Sequence, residues 1–254
     1  MQENREQGTE TFVIEGRNAV LEAFRSGKTI DKLFLLEGCQ DGPIRTIARE
    51  ARKHSTIVKY VTKERLDQLS ETGKHQGVIA QAAAYSYASV DDILQNAKDK
   101  GEDPFIILLD GIEDPHNLGA IIRTANLAGA HGVIIPKRRS VSLTGTVAKA
   151  AAGALSYVPV ARVANIAQTL KALKKEGLWV CGTAMDGQNI YQAPLSGPLA
   201  IVIGSEGHGM RSLVAQQCDF TVAIPMKGKI NSLNASVACG IVLSEVARRQ
   251  ELGQ

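Results

Sequence analysis

The sequence predicts an α/β protein built around a largely parallel β-sheet, and three observations carry that expectation. Aromatic residues make up only 4% of the 254 residues while hydrophobic residues make up 44%, so the core must be assembled from Ala, Val, Ile and Leu. Such cores suit parallel strands covered by helices. Apolar runs alternate with amphipathic stretches along the chain, the order of repeated β-loop-α units. The unusual glycine-rich and polar motifs all fall just after an apolar run, where ligands gather in such sheets.

In chain order, residues 1–10 are polar and read as a disordered start. Phe12 to Ile14 form a short strand and Asn18 to Arg25 a helix that Gly27 ends. "KLFLLEG" is a strand. "PIRTIAREARKH" is an amphipathic helix with Ile44, Ile47, Ala48 and Ala51 at helical spacing. "IVKYV", "KERLDQLSETG" and "GVIAQAAAY" continue as strand, helix and strand. Residues 11–85 therefore form a small α/β domain. Residues 86–103 are acidic and weakly apolar. A short helix over "VDDILQNAKDK" is broken by "GEDP", and the segment reads as a linker.

Residues 104–254 restart with the fully apolar strand "PFIILLD". A loop, "GIEDPHNLG", leads to the helix "AIIRTANLAGA" and the strand "GVIIP". A basic loop, "KRRS", precedes an Ala-rich helix. Then follow "VARVAN", the helix "IAQTLKALKKEG", the strands "LWVCGTAM", "LAIVIG" and "FTVAIPM", and the closing helix "NASVACGIVLSEVARRQ".

Net charge is +3, and its distribution is informative: residues 104–254 carry 14 Lys and Arg against 9 Asp and Glu. A polyanionic partner is compatible with that excess. Cys39, Cys181, Cys218 and Cys239 are scattered and form no CxxC pair, which argues against a zinc site. The polar start predicts no secretory signal, and no run approaches the length of about 20 apolar residues that spans a bilayer. The expectation is a cytoplasmic protein with reduced thiols and no metal.

Three motifs carry chemistry. In the first, Asn117 and Gly119 open a helix that also holds Arg123. A helix start after a strand offers free N–H groups to an anion, and an Arg fork binds phosphate. The plainer alternative makes Asn117 an N-cap and Arg123 a solvent-facing charge. In the second, "IGSEGHGM" places Gly204, Gly207 and Gly209 after a strand, with Glu206 among them. Glycines permit positive φ and close approach of backbone to a ligand. The spacing does not match the dinucleotide fingerprint GxGxxG. His208 reads as an exposed loop residue. In the third, "IPMKGKINSLNAS", a basic loop with Lys227 and Lys229 runs into a helix start carrying Ser232 and Asn234, with Leu233 turned toward an apolar pocket. Either polar residue could be an ordinary N-cap.

"NLGAIIRTA", "IGSEGHGM" and "IPMKGKINSLNAS" resemble, in order and spacing, the three motifs of the SpoU/TrmH family of RNA ribose methyltransferases. "EGRNAVLEAF" and "HQGVIAQ" resemble that family's substrate-binding domain, which is similar to the ribosomal protein L30e/L7Ae fold. The arrangement is most like the RlmB-type enzymes that methylate guanosine ribose in large-subunit ribosomal RNA. The resemblance implies a trefoil-knotted C-terminal methyltransferase domain, a rarity among folds. It also implies S-adenosylmethionine as cofactor and a homodimer formed through that domain. By position, Gly204, Ile224 and Leu233 match cofactor-contacting residues, with Thr183 and Gly182 beside them. Asn117, Arg123, Glu206, Ser232 and Asn234 match the catalytic and RNA-binding polar set. RNA contact is then expected at Lys137, Arg138, Arg139 and Lys149, and at Arg17 and Asn18 of the small domain.

The family's scheme makes the residue matching Arg123 the base. An Arg is effectively always protonated, so a cation stabilising the alkoxide is the better expectation. Glu206 and Asn234 would then orient Arg123 or the pocket. Two other classes compete: a non-catalytic RNA-binding protein, which the small domain alone would suit, and a nucleotide-dependent oxidoreductase, which the missing GxGxxG disfavours. Transfer RNA is the alternative substrate.

Overall fold

The computed structural model describes residues 12–83, 85–229 and 232–252. The stretch 1–10, read as disordered, lies outside the described residues. The chain divides into two compact units: the first ends at Ser86 and takes in Ser142–Gly145, and the second holds Tyr87–Val141 and continues from Thr146.

The first unit contains β1 (Phe12–Glu15), α1 (Arg17–Arg25), β2 (Ile30–Leu36), α2 (Gly42–Lys53), β3 (Ile57–Val61), α3 (Lys63–Leu69) and β4 (Val78–Ala82). Its sheet runs β1-β4-β2-β3, with β2 and β3 parallel and β4 antiparallel to both neighbours. Period-two alternation divides the side chains between two faces. Leu33, Leu35, Val78 and Ala80 pack with Val20, Phe24, Ile44 and Ile47 of the helices, while Phe34 and Ile79 pack with Leu66. Asp41 starts α2 by accepting from the Ile44 N–H, as Thr62 starts α3 by accepting from that of Arg65.

The second unit begins earlier than the sequence suggests. Within the segment read as a linker lies α4 (Val90–Lys100), opened by a reciprocal cap between Ser89 and Asp92 and closed by Gly101 in the left-handed region. Ile93 and Ala97, one turn apart, are buried, and Ile93 joins the core of the second unit. Acidic composition marks only the outer face of this helix.

After α4 come β5 (Phe105–Asp110), α5 (Pro115–Leu127), β6 (Gly132–Pro136), α6 (Gly145–Ala151), β7 (Val160–Val163), α7 (Ile166–Lys175), β8 (Trp179–Asn189), β9 (Leu199–Gly204), α8 (Ser212–Ala215), β10 (Phe220–Ala223) and α9 (Ala235–Leu252). The six strands are all parallel, in the order β10-β8-β9-β5-β6-β7. β5 is buried along its whole length. Ile106 and Leu108 meet Ile134, Val180, Val202 and Leu170 on one side, and Ile107 and Leu109, equally buried, point to the other.

Two local details position the site. α5 starts at Pro115, not at Asn117: Asp114 is its N-cap, accepting from the His116 N–H at 3.0 Å. Asp-Pro supplies both a cap and the preset φ of the first helical position, so Asn117 is released from capping. β8 extends to Asn189, beyond the run read as a strand, and its pairing with β10 jumps from Gly182↔Thr221 to Gln188↔Val222. Residues 183–187 therefore bulge away from the ladder.

Candidate active site

The carboxyl ends of β5, β8, β9 and β10 carry the loops that build the site. β9 ends at Gly204 and the chain folds into a tight hairpin, with the Ser205 N–H donating to the Gly209 carbonyl at 3.0 Å and the Gly209 N–H to that of Ser205 at 2.9 Å. The turn needs its glycines. A Cβ on Gly204 would lie 2.3 Å from the Gly209 carbonyl carbon, and Gly209 itself has φ +63°.

Glu206 stands on this hairpin, and one of its oxygens gathers the three motifs. Oε1 accepts from Asn117 Nδ2 at 2.9 Å, from Asn234 Nδ2 at 2.7 Å and from the Ala235 N–H at 3.0 Å. Asn117 is buried in α5. Asn234 does two jobs at once. Its Oδ1 caps α9, accepting from the Ser236 N–H at 3.0 Å and hydroxyl at 2.6 Å, while its amide donates to Glu206. The capping and functional readings of Asn234 are thus both met by one side chain.

Two cavities share the hairpin as a wall. The first, about 580 Å³, is lined by Thr183, Met185, Asp186, Gly204, Ile224 and Leu233, with Ser232 and Ala238. Most of its walls are apolar, and the bulged residues of β8 supply one side. The second, about 640 Å³, is lined by Asp110, Glu113, Asn117, Arg139 and Arg211. Ser205, Glu206, His208, Gly209, Met210 and Ala235 border both.

Of the expected site residues, Asn117, Glu206 and Asn234 are brought together by hydrogen bonds. Gly204, Ile224, Leu233, Thr183 and Ser232 line the first cavity. Gly182 does not. It is buried where a Cβ would meet the Met210 methyl at 2.5 Å and the Cys218 sulfur at 2.7 Å, so it makes room for those side chains. Arg123 is exposed on α5 and lines neither cavity, and Glu206 binds the two amides in place of Arg123. Arg139 reaches the second cavity from a backbone with φ +57°, rare for a residue with a side chain. Arg138 and Lys149 are exposed; Lys137 is half-buried, and burial, followed by the nearby Arg162 charge, lowers its ammonium pKa. In the first unit Asn18 is exposed, whereas Arg17 is already engaged: it donates to Asp41 at 2.6 Å and to the Gln76 carbonyl at 3.1 Å. His208, read as an ordinary loop residue, borders both cavities.

Sequence reasoning missed Asp110, Arg211 and Asp186. A carboxylate closing the otherwise apolar "FIILLD" was the available signal for Asp110. Asp186 lay in a bulge that no periodicity marks.

Residues 104–244 match the SpoU rRNA Methylase family, and residues 13–88 match the family described as RNA 2'-O ribose methyltransferase substrate binding. The chain belongs to the SpoU rRNA methylase family. Among its SpoU and TrmH relatives, the YacO protein of Bacillus subtilis, named as a TrmH family tRNA/rRNA methyltransferase, is 49% identical over 237 residues, covering 92% of this chain and 94% of its own. A similarly named protein of Staphylococcus aureus strain MW2 is 50% identical, covering 96% of this chain and 99% of its own. Among solved SpoU structures, AviRb of Streptomyces viridochromogenes shares the fold, with a TM-score of 0.61, 24% identity and coverage of 96% of this chain and 91% of that one. A TrmH-family structure from Porphyromonas gingivalis aligns with a TM-score of 0.56 at 27% identity, covering 95% of this chain and 91% of its own. Within the matched residues 104–244, Asn117, Asn234 and the Ala235 N–H meet at Glu206.

Proposed function

We propose that this RNA methyltransferase transfers the methyl group of S-adenosylmethionine to a ribose 2'-hydroxyl, with guanosine in large-subunit ribosomal RNA as the target. The observation that carries the reading is the convergence of Asn117, Asn234 and the α9 start on Glu206, in a wall between two cavities. A group-transfer enzyme needs two adjoining compartments.

The first cavity fits the cofactor by its chemistry. Its volume lies within the range of about 300–1,000 Å³ usual for ligand sites. Ile224, Leu233 and Ala238 offer apolar walls for a flat base, and the Asp186 and Glu206 carboxylates suit the cationic sulfonium and ammonium groups. AviRb is a solved neighbour whose structure contains this cofactor. When bound, the cofactor supplies a methyl group already activated by its sulfonium. The chain's part is to align the hydroxyl and take up its proton.

The second cavity would receive the RNA, with Arg139 at its rim toward the phosphate backbone and Lys137, Arg138 and Lys149 extending the contact. Arg17 and Asn18 would add contacts from the substrate-binding unit, Arg17 after exchanging Asp41 for phosphate. Arg123 would serve as a cation beside the developing alkoxide. Its exposure on α5, one turn from the 79%-exposed Leu127, supports its delivery to the site of a second copy in a homodimer built from the C-terminal unit. A cytoplasmic setting is compatible with an RNA substrate.

The test is to incubate the protein with labelled S-adenosylmethionine and, separately, ribosomal and transfer RNA, then map the product. The expected product is a 2'-O-methylguanosine in large-subunit RNA. Label confined to transfer RNA would shift the substrate, and base methylation or no transfer would sink the reading.

A further inference from the structure

The hairpin that carries Glu206 is held at its exit by a pair to which the sequence assigns no role, Asp110 and Arg211. Asp110 closes β5, directly beside Gly204 of β9 in the sheet register. It is only 1% exposed, and both its oxygens are taken by a single residue: Oδ2 accepts from the Arg211 N–H at 2.8 Å, and Oδ1 from Arg211 Nε at 2.7 Å. Arg211 follows the hairpin by two residues. One carboxylate thus fixes both the main chain and the side chain where the hairpin ends. The hairpin's entry packs close by: the next residue, Gly111, has φ +93°, and a Cβ there would lie 3.2 Å from that of Ser205.

Burying a carboxylate is costly unless it is paired and hydrogen-bonded, as this one is. Since both its bonds go to the residue at the hairpin's exit, the orientation they impose falls on the residues between Gly204 and Arg211. Glu206 is the one among them that gathers Asn117, Asn234 and the Ala235 N–H.

We propose that Asp110 is a positioning residue for methyl transfer: through Arg211 it sets the exit of the 205–209 hairpin and so the placement of the Glu206 carboxylate between the two cavities. The proposal rests on the methyltransferase reading above. Arg211 acts in the same chain of contacts. Its side chain, 47% exposed, pairs with the buried carboxylate, while its N–H carries the main-chain half of the hold.

A double-mutant cycle separates this role from general stability. Methyl transfer from S-adenosylmethionine to RNA is measured in single turnover with both saturating, and in steady state over a range of RNA concentrations, for the unaltered protein, Asp110→Asn, Glu206→Gln and the double variant, alongside their melting temperatures. Misplacement of about 1 Å can cost on the order of 100-fold in rate. Asp110→Asn is expected to slow transfer roughly ten-fold or more while leaving the KM for RNA within about two-fold. In the Glu206→Gln background the same change should cost less than about two-fold, because the carboxylate it positions is already gone. A full rate in Asp110→Asn, or an undiminished loss in the double variant, overturns the proposal. If Asp110→Asn does not fold, Arg211→Ala takes its place. A loss of about three-fold that vanishes beside Glu206→Gln supports the proposal, and an unchanged rate or an additive loss overturns it. Failure of the unaltered protein to bind S-adenosylmethionine in calorimetry would instead strike the functional reading.

Discussion

Glu206 shows how much of this site depends on one atom. Two side-chain amides and a backbone N–H point at Oε1. A carboxylate oxygen holds all three with its charge; the neutral amide oxygen of a Gln in the same place accepts them more weakly. Glu206→Gln should therefore slow methyl transfer on the order of 100-fold, the size seen when a preorganised charge-stabilising group is lost. Folding should survive, since Asn117 and Asn234 are held by α5 and by the α9 cap. Single-turnover rates and a melting curve test this together, and a near-native rate would remove Glu206 from the chemistry. The residue also shows what spacing could reveal. That Asn117, Glu206 and Asn234 belong together was legible only through family resemblance, because they lie 89 and 28 positions apart. No local pattern carries such a contact.

At the scale of elements, close packing explains why certain positions admit no side chain. In α5 a Cβ on Gly119 would lie 2.4 Å from that of Ala150 and 2.7 Å from the Val147 carbonyl oxygen. Gly119→Ala, which should favour an isolated helix, is here expected to destabilise by about 1–3 kcal/mol, and a urea midpoint equal to or above that of the parent would contradict it. α9 is secured differently. Glu245, 6% exposed, accepts from Arg248 through both oxygens and from Arg249, all at 2.8 Å. The Arg248 bonds lead in holding its carboxyl down to about 2 from the ordinary 4.5, with Arg249 adding to them against burial. A depressed carboxyl stabilises the fold fully above its unfolded value. That stability drains as pH falls through about 4.5 toward about 2. Glu245→Gln should then lose stability at neutral pH and show a flatter acid dependence across that window, measured by urea unfolding at stepped pH. Equal slopes for the two proteins would count against the pairing. These elements were mostly visible in sequence. α2, α7 and β5 carry clean periodic or unbroken apolar patterns. α4 was legible as a helix but not as core, because its three acidic residues outweigh Ile93 and Ala97 in composition. The start of α5 was missed because Asp114 and Pro115, and not the more conspicuous Asn117, provide the cap.

For the molecule as a whole, the sheet and the two units follow from alternation and apolar runs, whereas the distribution of the site does not. Arg123, expected in the catalytic set from the family resemblance, stands exposed on α5, lining neither cavity. A homodimer reconciles the two facts if each copy lends Arg123 to the other's Glu206 cluster. Isologous association makes this economical, since one surface serves both sites. Mixing variants decides it. Arg123→Ala and Glu206→Gln should each be nearly inactive alone. When the two are unfolded, mixed equally and refolded together, about half of the dimers are mixed, and each mixed dimer rebuilds one intact site from an unaltered Glu206 and the partner's unaltered Arg123. The mixture should thus recover about a quarter of the parent's activity. If Arg123 served its own chain, every site in the mixture would lack one of the two groups and no activity would return. A monomer by sedimentation at assay concentration would exclude the shared site, and would return Arg123 to the role of a surface charge.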